Sequence, residues 1–287
     1  MTSAGSTANP PGSAYRIAGC RITVDQPLSA FAAFVDEDPS NLDHQPAIPV
    51  ETWHCATRGL VGDRIRSVEC QSRGSTLDVC IEGHGQFAVS TAGQIHYPKH
   101  LKPASLTQVL CGPLLPLAMA WKNIFCLHGS ALMRSEGLTV LLGMSGAGKS
   151  TLATALSQQN FEQWADDTIA ADAQEIGQCL GHYPQPKWPK WRGSIQRQSA
   201  PLHQLIFLMP GADTACSLSP TPPAQATLAL IEHTLTGRLF APSMLRRQLK
   251  FAASLADTVP CWTLNYRQEL ASLTPMIDAI SSLKVPS

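Results

Sequence analysis

The chain has 287 residues, enough for one large domain or two ordinary ones. Hydrophobic residues make up 44% and charged residues 15%, a composition typical of a globular protein with a sizeable core. The formal net charge is zero, with 21 basic and 21 acidic residues. This balance argues against a general nucleic-acid binder, because such proteins carry a basic excess.

The cysteines and the N-terminal segment indicate the cellular compartment in which we expect the protein. The nine cysteines are scattered and none forms a C-x-x-C pair, so no zinc site is predicted, and their odd number is typical of a reducing compartment. Residues Met1–Ala14 are rich in Ser, Gly, Pro and Ala and predict a disordered lead rather than a signal peptide. Because no run of about 18 apolar residues occurs, no membrane-spanning helix is expected. We therefore expect a cytoplasmic protein without a membrane partner.

Residues 15–121 predict a β-rich N-terminal domain with a connecting helix. The predicted strands are Tyr15–Val24, Thr76–Ile81, Gln86–Ser90 and Gln94–Tyr97, with a hairpin turn at Glu82–Gly85 and a loop at Asp36–Ile48. The connecting helix is Pro103–Trp121, which Gly112 and two prolines are expected to break near its middle. A second domain, residues 122–287, then follows.

The strongest motif is Gly143–Thr151, which fits the phosphate-binding pattern G-x-x-x-x-G-K-[ST] at every fixed position. An apolar run, Leu138–Leu142, predicts the strand before it, and Ser150–Gln159 predicts a helix after it. Glycines let backbone N–H groups curl around an anion, and the helix N-terminus adds further N–H groups and the positive end of the dipole. The residues predicted to line this nucleotide site are Gly143, Ser145, Gly146, Ala147, Gly148, Lys149, Ser150 and Thr151.

Two adjacent carboxylates, Asp166 and Asp167, follow a strand-like segment. Like charges side by side are costly unless a cation or a proton resolves them. A phosphate loop needs a second Mg²⁺ ligand, usually an Asp at the end of an apolar strand, whereas the later apolar run Leu205–Met209 ends in a proline. The pair is therefore the best candidate in the chain, and a capped turn remains the alternative.

The rest of the chain alternates between strand and helix patterns, which predicts an α/β fold. In chain order, the predicted elements around and after the motif are the strand Asn123–Met133, a Pro- and Trp-rich loop at Gly181–Gly193, the strand Leu202–Met209, a loop at Ser219–Ala224, the helices Ala226–Leu239 and Pro242–Ala256, the strand Val259–Tyr266 and the helix Thr274–Leu283, with Thr274 as its N-cap.

Three features together resemble the HPr serine kinase/phosphorylase superfamily and its peptide- and protein-kinase relatives. They are His128–Gly129, 21 residues before Lys149; Gly146–Ser150; and Trp164–Asp167, whose first Asp lies 17 residues after Lys149. The resemblance implies an α/β fold with a P-loop core of the HPr kinase/phosphoenolpyruvate carboxykinase type and a smaller β-rich N-terminal domain. Thr151 stands where the HPr kinases proper carry Glu, which argues against HPr as the acceptor.

The resemblance also implies catalytic roles in an ATP- and Mg²⁺-dependent serine kinase. Lys149 would hold the β- and γ-phosphates, and Ser150 with Asp167 would bind Mg²⁺. Asp166 would be the base, although the residues leave the reverse order of the two carboxylates open. His128 would hydrogen-bond to the acidic pair or to the γ-phosphate. Charge on the transferred group favours one further cation, for which Arg238 and Arg192 are the candidates.

The acceptor implied by the resemblance is a serine on a peptide or small protein, such as the precursor peptide of a ribosomal-peptide (for example lasso-peptide) pathway. The enzyme could also form homo-oligomers, as family members do. Three alternatives stay open: an HPr kinase/phosphorylase proper, a kinase for a small metabolite such as free serine, and a nucleotide-binding regulatory module with no transfer activity.

Overall fold

A computed structural model describes residues 13–24, 28–36, 54–61, 64–181, 183–185, 198–211 and 216–283. Within these ranges the chain is a mixed α/β protein with two seven-stranded sheets. Most of the Met1–Ala14 and Asp36–Ile48 predictions and the later part of the Gly181–Gly193 prediction lie outside the described residues. Ser13 and Ala14 are an exception, because they begin the first strand and so do not belong to a disordered lead.

The first sheet has the order β1-β2-β7-β6-β5-β4-β3 and is antiparallel except where β2 and β7 run parallel. Its strands are β1 (Ser13–Ile17), β2 (Cys20–Val24), β3 (His54–Val61), β4 (Arg64–Arg73), β5 (Thr76–Ile81), β6 (Gly85–Ser90) and β7 (Gln94–His96). The predicted strand Tyr15–Val24 is a hairpin, because Ala18 and Gly19 both have positive φ and form a tight turn. Strands β3 and β4 were not predicted from the sequence.

A continuous helical segment joins the two sheets. It consists of α1 (Pro103–Val109), one π-helical turn (Leu110–Leu114) and α2 (Leu115–Trp121). The predicted break is therefore wrong: the wider π turn accommodates Pro113 without ending the helix. Residues 104–121 are long and apolar enough to cross a membrane by length and composition alone, but 72% of this segment is buried inside the molecule, as in the core helix of a globular protein.

The second sheet has the order β11-β10-β8-β9-β12-β14-β13, and β11 also pairs with β12. Its strands are β8 (Ile124–Arg134), β9 (Gly137–Leu142), β10 (Glu162–Asp172), β11 (Gln178–Leu180), β12 (Ala200–Gly211), β13 (Ser217–Pro220) and β14 (Cys261–Arg267). β9, β12 and β14 run parallel, whereas β8 and β10 form an antiparallel pair beside them. The extra β11–β12 pairing joins β11, β10, β8, β9 and β12 into a closed ring of paired strands.

Four helices accompany the second sheet in the described residues: α3 (Lys149–Leu156), α4 (Pro223–Glu232), α5 (Pro242–Thr258) and α6 (Leu273–Ser281). The sheet separates two apolar cores, and successive strand residues alternate between them. Leu141 and Ile206 pack with α3 and α6, whereas Val140 and Phe207 pack with α5 and the first sheet. Each face of the sheet is thus covered, as expected for parallel strands.

Several predicted boundaries need correction. The edge strand Ser217–Pro220 includes the first two residues of the loop predicted over Ser219–Ala224, and proline is tolerated at such an edge. The helix predicted over Ala226–Leu239 ends at Glu232 and is followed by a short 3-10 turn, Gly237–Leu239. The last helix takes Ser272 rather than Thr274 as its N-terminal flanking residue.

Candidate active site

The glycine-rich loop, Gly143–Gly148, connects β9 to α3, as the motif predicts. Gly146 and Gly148 have φ of +85° and +83°, a region that disfavours side chains, so these positions require glycine. The Lys149 ammonium folds back over the loop and donates to the carbonyls of Gly143 at 2.7 Å and Met144 at 3.0 Å. Its positive charge therefore lies at the loop, although the side chain is largely buried.

Two side chains at the end of β14 hold the outer side of the loop. The Tyr266 hydroxyl donates to the Ala147 carbonyl, and Gln268 Nε2 donates to the Gly146 carbonyl at 2.5 Å. In a planar trans peptide the C=O and the following N–H point in opposite directions. The bond from Tyr266 therefore turns the Gly148 N–H away from β14, and burial of the Tyr266 phenol raises its pKa, so that it remains a donor.

The first carboxylate of the acidic pair is tied to the loop. Asp166 Oδ1 accepts hydrogen bonds from the Ser150 hydroxyl at 2.9 Å and from the Ser130 hydroxyl at 2.7 Å. Ser130 lies directly opposite Asp166 on β8, so the sheet register itself brings the two side chains together. The pair lies within β10 rather than after a strand, so both the strand end and the capped turn considered from the sequence are wrong.

The second carboxylate faces the histidine. Asp167 Oδ1 lies 3.4 Å from His128 Nε2, and both side chains are half-buried. Asp167 has φ of +107°, which is rare for a residue other than glycine. The residue opposite it is Gly129, where a Cβ would lie 2.6 Å from the Leu141 carbonyl oxygen. The two residues of the His–Gly pair therefore have different roles. The side chain of His128 contacts Asp167, and the lack of a side chain at Gly129 avoids a clash with the Leu141 carbonyl.

Two further residues, Gln185 and His233, complete the site and were not predicted from the sequence. Gln185 is buried, and its carboxamide hydrogen-bonds to the backbone of β10 at Asp166 and Thr168. His233 follows α4, and its carbonyl accepts the His128 N–H at 2.8 Å. No sequence motif includes either residue, because each contacts a strand that is distant from it in the sequence.

The imidazole of His233 is held neutral. Burial lowers its pKa to about 4; the nearby Glu232 carboxylate opposes this shift, whereas Lys149 and the neighbouring His128 add to it. The ring stacks on Phe207 with a centroid separation of 6.5 Å. A neutral ring at this place adds no further positive charge beside Lys149.

Of the two predicted arginines, Arg238 is described and does not join this cluster. The Arg238 side chain is exposed, on the 3-10 turn after His233, and its carbonyl accepts a contact from Cys55 Sγ of β3 at 3.0 Å. Arg192 lies outside the described residues. No group of three or more His, Cys, Asp or Glu side chains that could hold a metal occurs in the parts of the chain described. The Ser150 hydroxyl and the Asp166 carboxylate lie together at the end of the loop, and both are oxygen ligands of the kind that Mg²⁺ prefers.

Comparison with known proteins gives little further information. No known protein family matches the sequence, and no curated protein matches it. A similar solved structure is the HPr(Ser) kinase/phosphatase from Coxiella burnetii, at 13% sequence identity over 54% of this chain and 88% of that chain, with a TM-score of 0.26. This is a distant structural similarity.

Proposed function

We propose that this protein is an ATP- and Mg²⁺-dependent kinase that transfers the γ-phosphoryl group to a serine hydroxyl of a peptide or small protein in the cytoplasm. One observation carries the proposal: of two adjacent carboxylates, one is hydrogen-bonded to the hydroxyl of the glycine-rich loop and the other faces a histidine. Binding a nucleotide requires only the first arrangement, whereas moving a proton from an acceptor hydroxyl requires the second as well.

The contacts support the reverse of the order first favoured from the sequence. Asp166 touches Ser150 and therefore belongs with it on the metal side, whereas Asp167 is the candidate base. Ser150 and Asp166 would bind Mg²⁺, which would neutralise charge on the β- and γ-phosphates. The amides of the glycine-rich loop and Lys149 would bind the phosphate oxygens.

The transfer step forms a bond between the acceptor oxygen and the γ-phosphorus and breaks the bond from that phosphorus to the bridging oxygen of ADP. Asp167 accepts the proton that the hydroxyl loses. His128 fixes the rotamer of this carboxylate through its 3.4 Å contact. Arg238, exposed on the turn beside His233, is proposed as a cation that approaches the γ-phosphate when the acceptor binds.

The test is incubation with γ-labelled ATP and Mg²⁺ against a library of serine-containing peptides, with free serine as a separate acceptor. We expect label on peptide serine. Lys149→Ala is expected to abolish transfer, and Asp167→Asn to lower the rate by about 10²–10⁴-fold, since the amide cannot accept the proton.

Asp172→Asn is the matched control, because Asp172 lies at the end of the same strand and its carboxylate accepts the Gln174 N–H at 2.7 Å, away from the glycine-rich loop. It should retain the wild-type rate. Label on free serine alone would indicate a small-metabolite kinase, and nucleotide binding with no product would indicate a regulatory module. Either result, or a near-normal rate for Asp167→Asn, would contradict the proposal.

A further inference from the structure

The backbone of Asp167 departs from its strand. Among the described residues, it is the one non-glycine residue with positive φ that lies inside a strand. The others lie in turns; they are Ala18, Asn123, Asn160 and Thr236. A non-glycine residue rarely adopts such a conformation, so the surrounding structure must stabilise it.

This conformation matters because of the two-residue repeat of a strand. Asp166 lies opposite Ser130, and Thr168 lies opposite His128, so these residues share one face of the sheet. Leu132 is two residues from Ser130 on β8 and packs in the core beneath α3. Ile169 is two residues from Asp167 on β10 and packs in the core on the opposite face of the sheet. A regular strand would therefore direct Asp167 away from the site.

The observed contact shows the opposite. Asp167 Oδ1 lies 3.4 Å from His128 Nε2, on the face that also carries Asp166. The left-handed backbone at Asp167 thus allows two consecutive carboxylates to serve one site. Whatever stabilises this backbone also positions the second carboxylate.

Gln185 is the side chain that brackets Asp167. Its Oε1 accepts from the N–H groups of the two flanking residues, Asp166 at 3.2 Å and Thr168 at 3.3 Å. Its Nε2 donates to the Thr168 carbonyl at 3.1 Å and to the Tyr183 carbonyl at 3.4 Å. The side chain is 5% exposed, so water does not compete freely for these bonds. The β11 pairing of β10 involves only Ala170 and Ala171, so at the acidic pair Gln185 bonds the edge of β10 in place of a strand.

We propose that Gln185 is a positioning residue for phosphoryl transfer: its carboxamide holds the left-handed backbone of Asp167 and thereby keeps the Asp167 carboxylate beside His128. The proposal rests on the function proposed above and adds a residue to it. In the part of the chain that the structure describes, Gln185 bonds to the backbone of Asp166, Thr168 and Tyr183 and not to the glycine-rich loop, so its effect falls on the acceptor side of the reaction rather than on nucleotide binding.

The test compares Gln185→Met with the wild type in the full chain. Methionine keeps the volume and removes all four hydrogen bonds. We expect kcat for transfer to fall about 10–100-fold, the range for misplacement of a catalytic group, while KM for ATP stays within about twofold. Gln204→Met is the matched control, because Gln204 is also a buried glutamine of this sheet and its Nε2 bonds to Thr139 at 3.0 Å, away from the site.

A double-mutant cycle separates positioning from general stability. Asp167→Asn removes the base, but asparagine still tolerates the positive φ at this position. In that background Gln185→Met should cause less than about a twofold further loss in rate. An undiminished loss in that background, an unchanged kcat in Gln185→Met, or an equal loss in Gln204→Met would each overturn the proposal.

A second readout is independent of activity. In Gln185→Met, backbone amide exchange measured by NMR should accelerate at least about tenfold at Asp166 and Thr168, and not at Ala170, which β11 protects. If the wild type transferred no phosphate, the proposed function would fail, yet this measurement would still decide whether Gln185 holds the backbone of Asp167. Unchanged exchange at both amides would overturn that role.

Discussion

Single side chains from distant parts of the sequence fix the glycine-rich loop. Tyr266 and Gln268 reach it from the end of β14, more than a hundred residues after the motif. Their bonds to two consecutive loop carbonyls orient the loop amides before any ligand arrives. Such preorganisation lowers the cost of binding, because fewer backbone angles must be ordered on complex formation.

Removing the Tyr266 hydroxyl should therefore weaken nucleotide binding. We expect Tyr266→Phe to raise the dissociation constant for Mg²⁺·ATP about 2- to 10-fold, the equivalent of one hydrogen bond of about 0.5–1.5 kcal/mol. Isothermal titration calorimetry would measure it. Tyr15→Phe is the control, since the Tyr15 hydroxyl accepts the Leu28 N–H in the first sheet and does not touch the loop. Equal affinities in the wild type and Tyr266→Phe would show that the loop does not need this bond.

At the scale of elements, β8 organises the site. It pairs with β10 along its length but with β9 only from Gly129 onward, because β9 ends at Leu142 to form the loop. Before Gly129, the segment that follows α4 lies beside β8 in place of β9. It forms a bridge between Leu127 and Thr234, and the His233 carbonyl accepts the His128 N–H. Gly129 lies at the junction of these three neighbours.

Substitution at this junction should be costly. In Gly129→Ala the added methyl would meet the Leu141 carbonyl at 2.6 Å and Leu142 Cδ2 at 2.8 Å. We expect a loss of about 1–3 kcal/mol, seen as a thermal midpoint lower by several degrees. Gly112→Ala is the matched control, because nothing lies within 4 Å of a Cβ there. A Gly129→Ala protein as stable as the Gly112→Ala protein would contradict the tight packing at β8.

Local patterns predicted most of these elements, and their limits have physical causes. The loop, its flanking strand and helix, α5 and β14 were predicted because periodicity and motif spacing are local properties. The π turn through Pro113 was missed because packing against both sheets outweighs the local penalty of proline. The contacts of Gln185 and His233 were missed because no spacing in the sequence encodes which side chain will meet a strand edge. The two aspartates were found, but strand alternation alone places only Asp166 on the face of the site, and the sequence does not reveal the left-handed backbone that brings Asp167 to it as well.

For the whole molecule, the neutral histidine beside the site links stability to pH. The folded-state pKa of His233 is about 4 against an ordinary value of 6.5, so between these pH values the unfolded chain binds a proton that the folded chain does not. Stability from this residue is fully present above about pH 6.5 and is lost as the pH falls toward 4, by on the order of 1–3 kcal/mol.

The thermal midpoint should therefore fall less between pH 7 and pH 5 in His233→Gln than in the wild type, as measured by calorimetry at fixed ionic strength. The exposed His100→Gln variant controls for the loss of an imidazole elsewhere. Identical pH dependence in His233→Gln and the wild type would exclude this residue as the source.

The helical segment 103–121 has a consequence for dissecting the chain. Its buried residues belong to one continuous apolar core with residues of both sheets, among them Phe87 of the first and Phe125 of the second. A cut after Trp121, where the sequence suggests a domain boundary, would leave apolar surface uncovered on both fragments. We expect either half expressed alone to aggregate, and co-expression of the two halves to restore a soluble complex in which each fragment shields the other.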